Sequence, residues 1–370
     1  MTHYTAQEAF DHAAPERTGV LVVQLGTPDA PEPGPVRRYL REFLSDPRVV
    51  ELPRAVWWPI LNGIILTTRP RRSAAKYAQI WTDEGSPLAV YTRRQAAMLR
   101  GWLGERGVDV EVEWAMRYGQ PSVAAGLRAL RERNVTRLLV LPMYPQYSGS
   151  TTGSAFDALW QELAAWRNLP EVRTVRAFHD FGPYLDALVA RIRGAWAEDG
   201  PPGKLVMSFH GVPRQTLLAG DPYHCECLAT GRLLAQRLGL SAGQYQVTFQ
   251  SRFGKARWLE PYTDHTLEEL GRQGVGRVDV VCPGFVSDCL ETLEEIAIEG
   301  RKTYLDAGGR DFRYIPCLND HPAFAAALAM LAQQHFGAWP VLRPGAEGSR
   351  RGEEALALRR SRALAQGASR

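Results

Sequence analysis

The feature that most constrains how this chain can fold is an internal repeat of strand-ending motifs. Three pairs of segments match in the same order along the 370-residue sequence: 19–28 with 203–213, 117–119 with 252–254, and 139–142 with 280–283. Helical segments alternate with these apolar strands, and this alternation predicts a parallel sheet with helices on its faces in each half. We therefore predict an α/β fold of two similar halves with a cleft between them.

The first half carries an insertion that the second half lacks. The stretch from the first matched motif (Gly26) to the second (Arg117) spans 91 residues, whereas its counterpart spans 41. The extra length, at about residues 46–82, contains the adjacent Trp57 and Trp58 and is followed by a basic stretch. An apolar insertion at the mouth of a cleft predicts a lip, suited to a large flat ligand or a membrane interface.

These features divide the chain into four parts. They are a polar lead-in (1–18), a first half (19–181), a second half whose last helix can pack on the first (182–338), and a basic tail (339–370). The formal net charge of +4 resides in the tail, where seven arginines and three glutamates follow residue 342. The remainder is balanced, which argues against nucleic-acid binding by the folded part. The tail is rich in Pro, Gly, Arg and Ala, so we predict weak order there.

Cysteine usage predicts a reducing compartment. The five cysteines are scattered and odd in number, and the polar N-terminus lacks the apolar core of a signal peptide. We therefore expect free thiols and a cytoplasmic protein. Cys225 and Cys227 flank one residue beside His224, but metal sites usually space cysteines by two or more residues and need a second pair. No apolar run is long enough to span a bilayer.

A row of carboxylates follows a predicted buried strand at residues 278–282. Glu291, Glu295 and Glu299 lie four residues apart, on one face of the helix that follows this strand. In α/β proteins, ligands bind beyond the carboxyl ends of strands. The alternative is a capping box, in which Asp288 caps the helix with Glu291 and the other glutamates form a solvated face.

His210 ends the corresponding predicted strand in the first matched motif of the second half. Its counterpart in the first half is Leu25, so one strand end offers a flat apolar group and the other a base. A lone histidine is most often structural, but this position favours a function. Imidazole accepts protons near neutral pH, and carboxylates bind hard or borderline cations transiently. The residues therefore predict a site that deprotonates a ligand and delivers a metal to it.

The loop at residues 142–154 is a further candidate. It is rich in hydroxyls and small residues and opens a helix, which is typical of an anion site. It lacks the Gly-Lys-Ser/Thr sequence of a phosphate-binding loop.

These motifs together resemble the ferrochelatase family from about Gly19 to about Gln334. The matching segments are residues 25–28, 117–119, 144–148, 150–154, 208–211, 220–223, 249–254, 258–259 and 287–293. The resemblance implies two Rossmann-like domains with a porphyrin cleft between them. It also implies insertion of Fe(II) into protoporphyrin IX, with release of two protons, in the last step of haem synthesis.

The resemblance assigns roles to individual residues. His210 is implied as the catalytic histidine and Glu291 as its partner, with Glu295, Glu299 and Asp288 continuing a metal-binding line toward solvent. The helix that carries them is implied to widen into a π-helix, which is common at functional sites. Substrate positions are also implied, with Arg69 and Ser86 at the porphyrin propionates. The remaining pocket positions are Leu25, Arg117, Tyr118, Tyr223 and Trp258.

The chain departs from the animal members of that family. They carry an iron–sulfur cluster on one mid-chain and three C-terminal cysteines, whereas Gly149 occupies the mid-chain position here and no cysteine follows Cys317. We expect no cluster and no permanently bound cofactor, with Fe(II) acting as a substrate. Cys289 stands where animal members have a second histidine. The insertion resembles that of Gram-negative bacterial members, which use protoporphyrin rather than coproporphyrin.

Two other functions are alternatives to the ferrochelatase reaction. One is a chelatase acting on coproporphyrin or another tetrapyrrole; the sirohydrochlorin type tends to use two histidines, whereas only His210 is in place. The other is a porphyrin or haem carrier without catalysis, which would have no need for carboxylates in an apolar cleft. For the enzyme we expect a cytoplasmic location with peripheral contact at the inner membrane through the lip.

Overall fold

The computed structural model describes residues 4–5, 11–252, 254, 256–343 and 345–369. Within that part of the chain, eight strands form two four-stranded parallel sheets. The first sheet contains β1 (Arg17–Gly26), β2 (Glu111–Tyr118), β3 (Val135–Pro142) and β4 (Glu171–Thr174) in the order β2-β1-β3-β4. The second contains β5 (Lys204–His210), β6 (Tyr245–Gln250), β7 (Arg277–Val281) and β8 (Asp311–Ile315) in the order β6-β5-β7-β8. The identical strand orders confirm the predicted α/β fold with parallel sheets.

Helices connect the strands and cover the sheets. Before β5 the α-helices are Pro33–Leu44, Arg54–Ile60, Leu66–Ile80, Pro87–Glu105, Val123–Glu132, Ser154–Leu163 and Gly182–Trp196. After β5 they are Arg214–Leu218, Tyr223–Leu238, Thr263–Arg272, Leu290–Thr292, Arg301–Asp306, Pro322–Phe336 and Ala346–Ala365. Among the described residues, the segments Leu61–Ile65, Gly149–Gly153 and Leu293–Gly300 form π-helices.

Parallel pairing brings the matched motifs together at one edge of each sheet. In the first sheet Gly26 pairs with Tyr118, and in the second His210 pairs with Gln250. Gly26 has a φ of +123°, and a Cβ there would lie 1.8 Å from the Tyr118 carbonyl oxygen. Only glycine allows this close crossing of the two strand ends.

Helices from both halves meet between the sheets. The helix Pro322–Phe336 packs on Gly182–Trp196 and also on Pro87–Glu105, which lies between β1 and β2. Within Pro87–Glu105, the buried Gln95 Nε2 donates hydrogen bonds to the carbonyl oxygens of Val286 (3.2 Å) and Asn319 (2.8 Å). Buried polar contacts therefore fix one half against the other.

The insertion is helical, and it separates its two tryptophans. Trp57 is 7% exposed and donates from its indole nitrogen to the Leu44 carbonyl oxygen at 2.7 Å, whereas Trp58 is 47% exposed. The prediction that both form the lip is therefore wrong for Trp57. Successive residues of a helix point about 100° apart, so an adjacent pair seldom shares one face.

Two segments differ from the sequence predictions. The tail contains the helix Ala346–Ala365, where weak order was predicted. Ala, Leu, Arg and Glu are strong helix formers, and Glu347 pairs with Arg351 one turn later. The edge strand Glu171–Thr174 was not predicted, because it is short and carries little apolar character.

We expect Trp57→Ser to lower the free energy of unfolding by about 3–5 kcal/mol, because it empties a core site and removes a buried hydrogen bond. Trp58→Ser is the matched control and should change it by no more than about 0.5 kcal/mol. Urea unfolding of both variants measures the difference. Equal stability of the two variants would contradict the burial of Trp57.

Candidate active site

His210 lies at the carboxyl end of β5 and is half-buried. Its Nδ1 lies 2.5 Å from the carbonyl oxygen of Gly211. A carbonyl oxygen only accepts hydrogen bonds, so Nδ1 carries the hydrogen and donates it. In the neutral ring Nε2 then keeps its lone pair, so that atom is the one that can accept a proton.

The residue after the histidine fixes its surroundings. A Cβ on Gly211 would lie 2.7 Å from the Gln250 carbonyl oxygen and 3.2 Å from Cε3 of Trp258. Only glycine lets Gln250 and Trp258 pack this close to the backbone that follows the histidine. Tyr223, another predicted pocket residue, is buried at the start of the helix Tyr223–Leu238, and burial raises the pKa of its hydroxyl.

The helix of the predicted carboxylate row is a π-helix over Leu293–Gly300, hereafter the acidic π-helix. The short α-helix before it is capped by Cys289, whose backbone N–H donates to Thr292 Oγ1 at 2.9 Å. The alternative capping box of Asp288 with Glu291 is therefore wrong. The widening agrees with the form that the resemblance implied.

Asp288 lies apart from the carboxylate row. It is 4% exposed and accepts hydrogen bonds from Asn319 Nδ2 at 2.6 Å, from the Tyr314 hydroxyl and from Thr292 Oγ1. These donors occupy its carboxylate inside the second half. The structure thus does not bring Asp288 together with the other predicted metal ligands.

Glu295 is the carboxylate whose pKa responds to the charges of both His210 and Glu291. Burial raises its pKa; hydrogen bonds from Ser251 and the charge of His210 partly offset this, and the charge of Glu291 adds to it. The backbone N–H of Ser251 donates to Glu295 at 2.7 Å, and its hydroxyl donates as well. Ser251 adopts a φ of +65°, an uncommon conformation for serine. The family resemblance implied Glu291 as the partner of the histidine, and no role was predicted for Ser251.

Glu291 faces the first half. Burial raises the pKa values of Tyr39 and Tyr77, and the carboxylate of Glu291 raises both further. Gln250 Nε2 donates to the backbone carbonyl of Glu291 at 2.7 Å and thereby fixes its position. The charge of Glu291 thus acts on the Glu295 carboxylate of its own half and on two phenols of the first half.

The outer end of the row contains a pairing that the sequence did not reveal. Lys76 Nζ lies 2.7 Å from Glu294 and 3.0 Å from Glu299. The π-helix bonds residues five apart, so Glu294 and Glu299 lie beside each other. An α-helical period groups Glu299 with Glu295 instead, and for that reason Glu294 was missed.

An open cavity of about 350 Å³ reaches the row from the exterior. Its lining includes Glu295 and Glu299 together with Ser251, Arg252 and Asp264. Phe253 of the matched motif lies outside the described residues. Among the residues that are described, no three His, Cys, Asp or Glu side chains converge closely enough to hold a metal ion.

Leu25, predicted in the pocket, and Arg69 and Ser86, predicted at the propionates, come from the first half. Leu25 is half-buried and packs on the core of the insertion. Arg69 is half-buried in the helix Leu66–Ile80, and burial lowers the pKa of its guanidinium. Ser86 is buried, accepts a hydrogen bond from Thr27 Oγ1 at 2.8 Å, and lines a separate cavity of about 260 Å³.

Arg117 and Tyr118 belong to a buried network around Asp46. Arg117 donates to the Asp46 carboxylate at 2.6 Å, and the Tyr118 and Ser154 hydroxyls donate at 2.8 and 2.5 Å. Tyr118 has no exposed surface. These predicted pocket residues therefore anchor the start of the insertion to the end of β2. Burial raises the pKa of Asp46, but the bonds from Ser154, the Arg48 backbone and Tyr118 outweigh it and hold the pKa below its usual range.

The predicted anion site in the loop at residues 142–154 is filled from within the chain. The carboxylate of Asp221 accepts from the backbone N–H of Gly149 at 2.7 Å and from the Ser148 hydroxyl at 3.2 Å. Asp221 belongs to the second half, so this contact joins the halves.

Comparison with known proteins identifies the family. The ferrochelatase family model matches residues 17–336. The chain belongs to the ferrochelatase family. It is 58% identical to the ferrochelatase of Azoarcus sp. (strain BH72) over 369 residues, which cover 100% of both chains. It is also 58% identical to that of Aromatoleum aromaticum over 340 residues, which cover 92% of this chain and 93% of the relative.

Membership of the ferrochelatase family establishes the general type of reaction. The chain is an enzyme of haem biosynthesis that inserts a metal into a porphyrin. The sequence resemblance is therefore confirmed.

Solved structures show the same fold. The chain superposes on SirB from Bacillus subtilis with Fe³⁺ with a TM-score of 0.53 at 12% identity, covering 89% of this chain and 100% of SirB. The sirohydrochlorin chelatase SirB from Bacillus subtilis subspecies spizizenii, in complex with cobalt, gives 0.51 at 12% identity, with coverage of 87% and 97%. The fold is that of the chelatases.

We expect Asp46→Asn to lower the free energy of unfolding at pH 7 by about 1–3 kcal/mol, because buried donors lose a charged acceptor. The native pKa of Asp46 lies below the ordinary value of about 3.9. Its ionised form therefore stabilises the fold above that pH, and this contribution disappears as the pH falls through the native pKa.

Urea unfolding at pH 7 and near pH 3 tests this, with Asp157→Asn as control, since that carboxylate is half-exposed in its ion pair with Arg48. The control should cost less than about 1 kcal/mol. A deficit in Asp46→Asn that stays constant with pH would refute the charged role of Asp46.

Proposed function

We propose that this ferrochelatase inserts Fe(II) into protoporphyrin IX, releases two protons and forms protohaem. The observation that carries the proposal is the imidazole of His210 at the end of β5, paired in the sheet with Gln250, whose Nε2 contacts the Glu295 carboxylate at 3.4 Å. Insertion needs an acceptor for the two pyrrole protons and oxygen ligands for the incoming cation. One end of the second sheet offers both.

The pyrrole protons leave as iron binds the four nitrogens. His210 accepts a proton at Nε2, because Nδ1 is engaged with the Gly211 carbonyl. Glu295 is suited to pass protons onward, since burial raises its pKa and the Ser251 bonds orient it. Glu291 shares this role, and Glu299 receives the cation from the exterior cavity. The net reaction exchanges one Fe²⁺ for two H⁺ in the porphyrin.

The distribution of charge in the cleft supports protoporphyrin as the substrate. Arg69 and Ser86 offer a guanidinium and a hydroxyl in the first half, which we propose bind the propionates. Leu25, Ile65 and Leu293 pack on the apolar core of the insertion, which we propose receives the other edge of the porphyrin. A porphyrin with two propionates on one edge and vinyl groups on the other matches that arrangement. A porphyrin with four carboxylates would bury two of them against apolar groups, which is costly.

Exposed apolar residues support contact of the insertion with a membrane surface. Leu52, Val56, Trp58 and Ile64 are each about half exposed, and the Arg54 guanidinium lies 6.0 Å from the Trp58 ring. Aromatic, aliphatic and basic groups together favour the interface of an anionic bilayer. We propose a cytoplasmic enzyme with peripheral contact at the inner membrane. No helix in the described ranges is both long and apolar enough to cross a membrane.

We also propose that the enzyme holds no iron–sulfur cluster and no other permanent cofactor. Cluster ligands are thiolates. Burial raises the pKa values of the Cys282, Cys289 and Cys317 thiols, which favours their protonated form. Cys225 is exposed while Cys227 is buried, and together they provide a single pair.

Anaerobic mixing of the protein with Fe(II) and protoporphyrin IX should produce the haem absorption band. The catalytic efficiency kcat/KM should be higher for protoporphyrin than for coproporphyrin. His210→Ala should abolish metallation while porphyrin fluorescence still reports binding. Near-normal turnover in His210→Ala would remove the histidine from the mechanism, and preference for coproporphyrin would overturn the substrate. Binding without haem formation by the wild type would favour a carrier.

The order of the carboxylates along the row, from Glu291 to Glu299, predicts a second result. Glu291→Gln should lower kcat by about 10²–10⁴, the range typical of acid–base groups. Glu299→Gln should act mainly on the KM for iron, because this carboxylate lies at the exterior cavity. Steady-state kinetics with both variants separate kcat from KM. A larger loss of kcat in Glu299→Gln would reverse the inferred direction of the row.

A further inference from the structure

The outer carboxylates of the acidic π-helix already carry a cation that belongs to the protein. The Lys76 ammonium lies 2.7 Å from Glu294 and 3.0 Å from Glu299, at one point between the two. Lys76 comes from the helix Leu66–Ile80 of the insertion, so the contact crosses from the first half to the second. The Glu294 side chain is 6% exposed, whereas those of Lys76 and Glu299 are 42% and 54% exposed. The lysine and Glu299 are therefore free to move apart.

Glu299 is shared between two environments. It pairs with Lys76, and it also lines the exterior cavity beside Glu295. We propose that Lys76 is a positioning residue that acts as a built-in counter-ion. It occupies Glu294 and Glu299 at rest, and an incoming divalent cation must displace it. This inference rests on the proposed function of the carboxylate row.

Charge balance gives the lysine its effect. Glu294 and Glu299 together carry a charge of about −2, and the ammonium of Lys76 reduces the net charge at this point to about −1. A divalent cation is attracted less strongly to this point than to two unpaired carboxylates. A delivery path requires ion binding that is favourable enough for entry and weak enough for release. Lys76 therefore prevents the outer carboxylates from holding the metal before it reaches Glu295 and His210.

The test measures cation binding without porphyrin. Titration with Mn(II) alone, followed by electron paramagnetic resonance of the free ion, should show about fivefold tighter binding by Lys76→Met, the size typical of a partly exposed ion pair. The matched control is Lys302→Met, which removes the same charge from an exposed lysine paired with Asp306 nearby. The control should bind Mn(II) as the wild type does.

Further variants make the outcome decisive. Lys76→Arg should restore wild-type affinity, and adding Glu299→Gln to Lys76→Met should abolish the gain. Lys76→Gln replaces Lys76→Met if the latter fails to give a cooperative melting curve. Unchanged or weaker Mn(II) binding in the folded variants would overturn the counter-ion role.

Haem formation by the wild type is measured separately. If the wild type makes haem but Lys76→Met binds Mn(II) no more tightly, the counter-ion proposal alone fails. If the wild type makes no haem, the proposed function fails whatever the Mn(II) titration shows.

Discussion

The site depends on the side chain of Gln250, which ties three strands to the acidic π-helix. Its Oε1 accepts from Ser208 Oγ on β5 at 2.7 Å and from the Cys282 thiol just after β7 at 3.7 Å. Its Nε2 donates to the Glu291 carbonyl at 2.7 Å and contacts the Glu295 carboxylate at 3.4 Å. The side-chain amide of Gln250 thus fixes the positions of Glu291 and Glu295 relative to β5, the strand that carries His210. Such fully satisfied polar networks give a site a single geometry.

The fold was predictable because the repeat, the apolar strands and the strand-ending glycines all indicate the same architecture. Gly26 and Gly211 could be recognised at strand ends, although the contacts that require glycine appear only in the structure. His210 was predictable for the same reason, since its position at a strand end follows from the motif. Trp57 was not, because the sequence of the insertion does not reveal which face of its helix is buried.

The grouping of the carboxylates could not be derived from residue spacing, because the spacing rule changes within the helix. An α-helical period places Glu291, Glu295 and Glu299 in one row, but the π-helix sets Glu294 beside Glu299. Asp288 was misassigned for a different reason. Its partner Asn319 is 31 residues away along the chain, and no local pattern reveals a buried acceptor of that kind.

The asymmetry between the two halves explains how a repeat produced one active site. Equivalent strand ends present Leu25 in the first half and His210 in the second, so the proposed base comes from the second half. The first half contributes Tyr39 and, from the insertion, Tyr77; burial raises the pKa values of both phenols, and the charge of Glu291 raises them further. Under the proposed function, a metal ion approaches along carboxylates of the second half and meets a porphyrin that the first half holds. Because Lys76 and Tyr77 are adjacent in one helix, a single element of the insertion supplies both the cation that pairs with Glu294 and Glu299 and a phenol on which the charge of Glu291 acts.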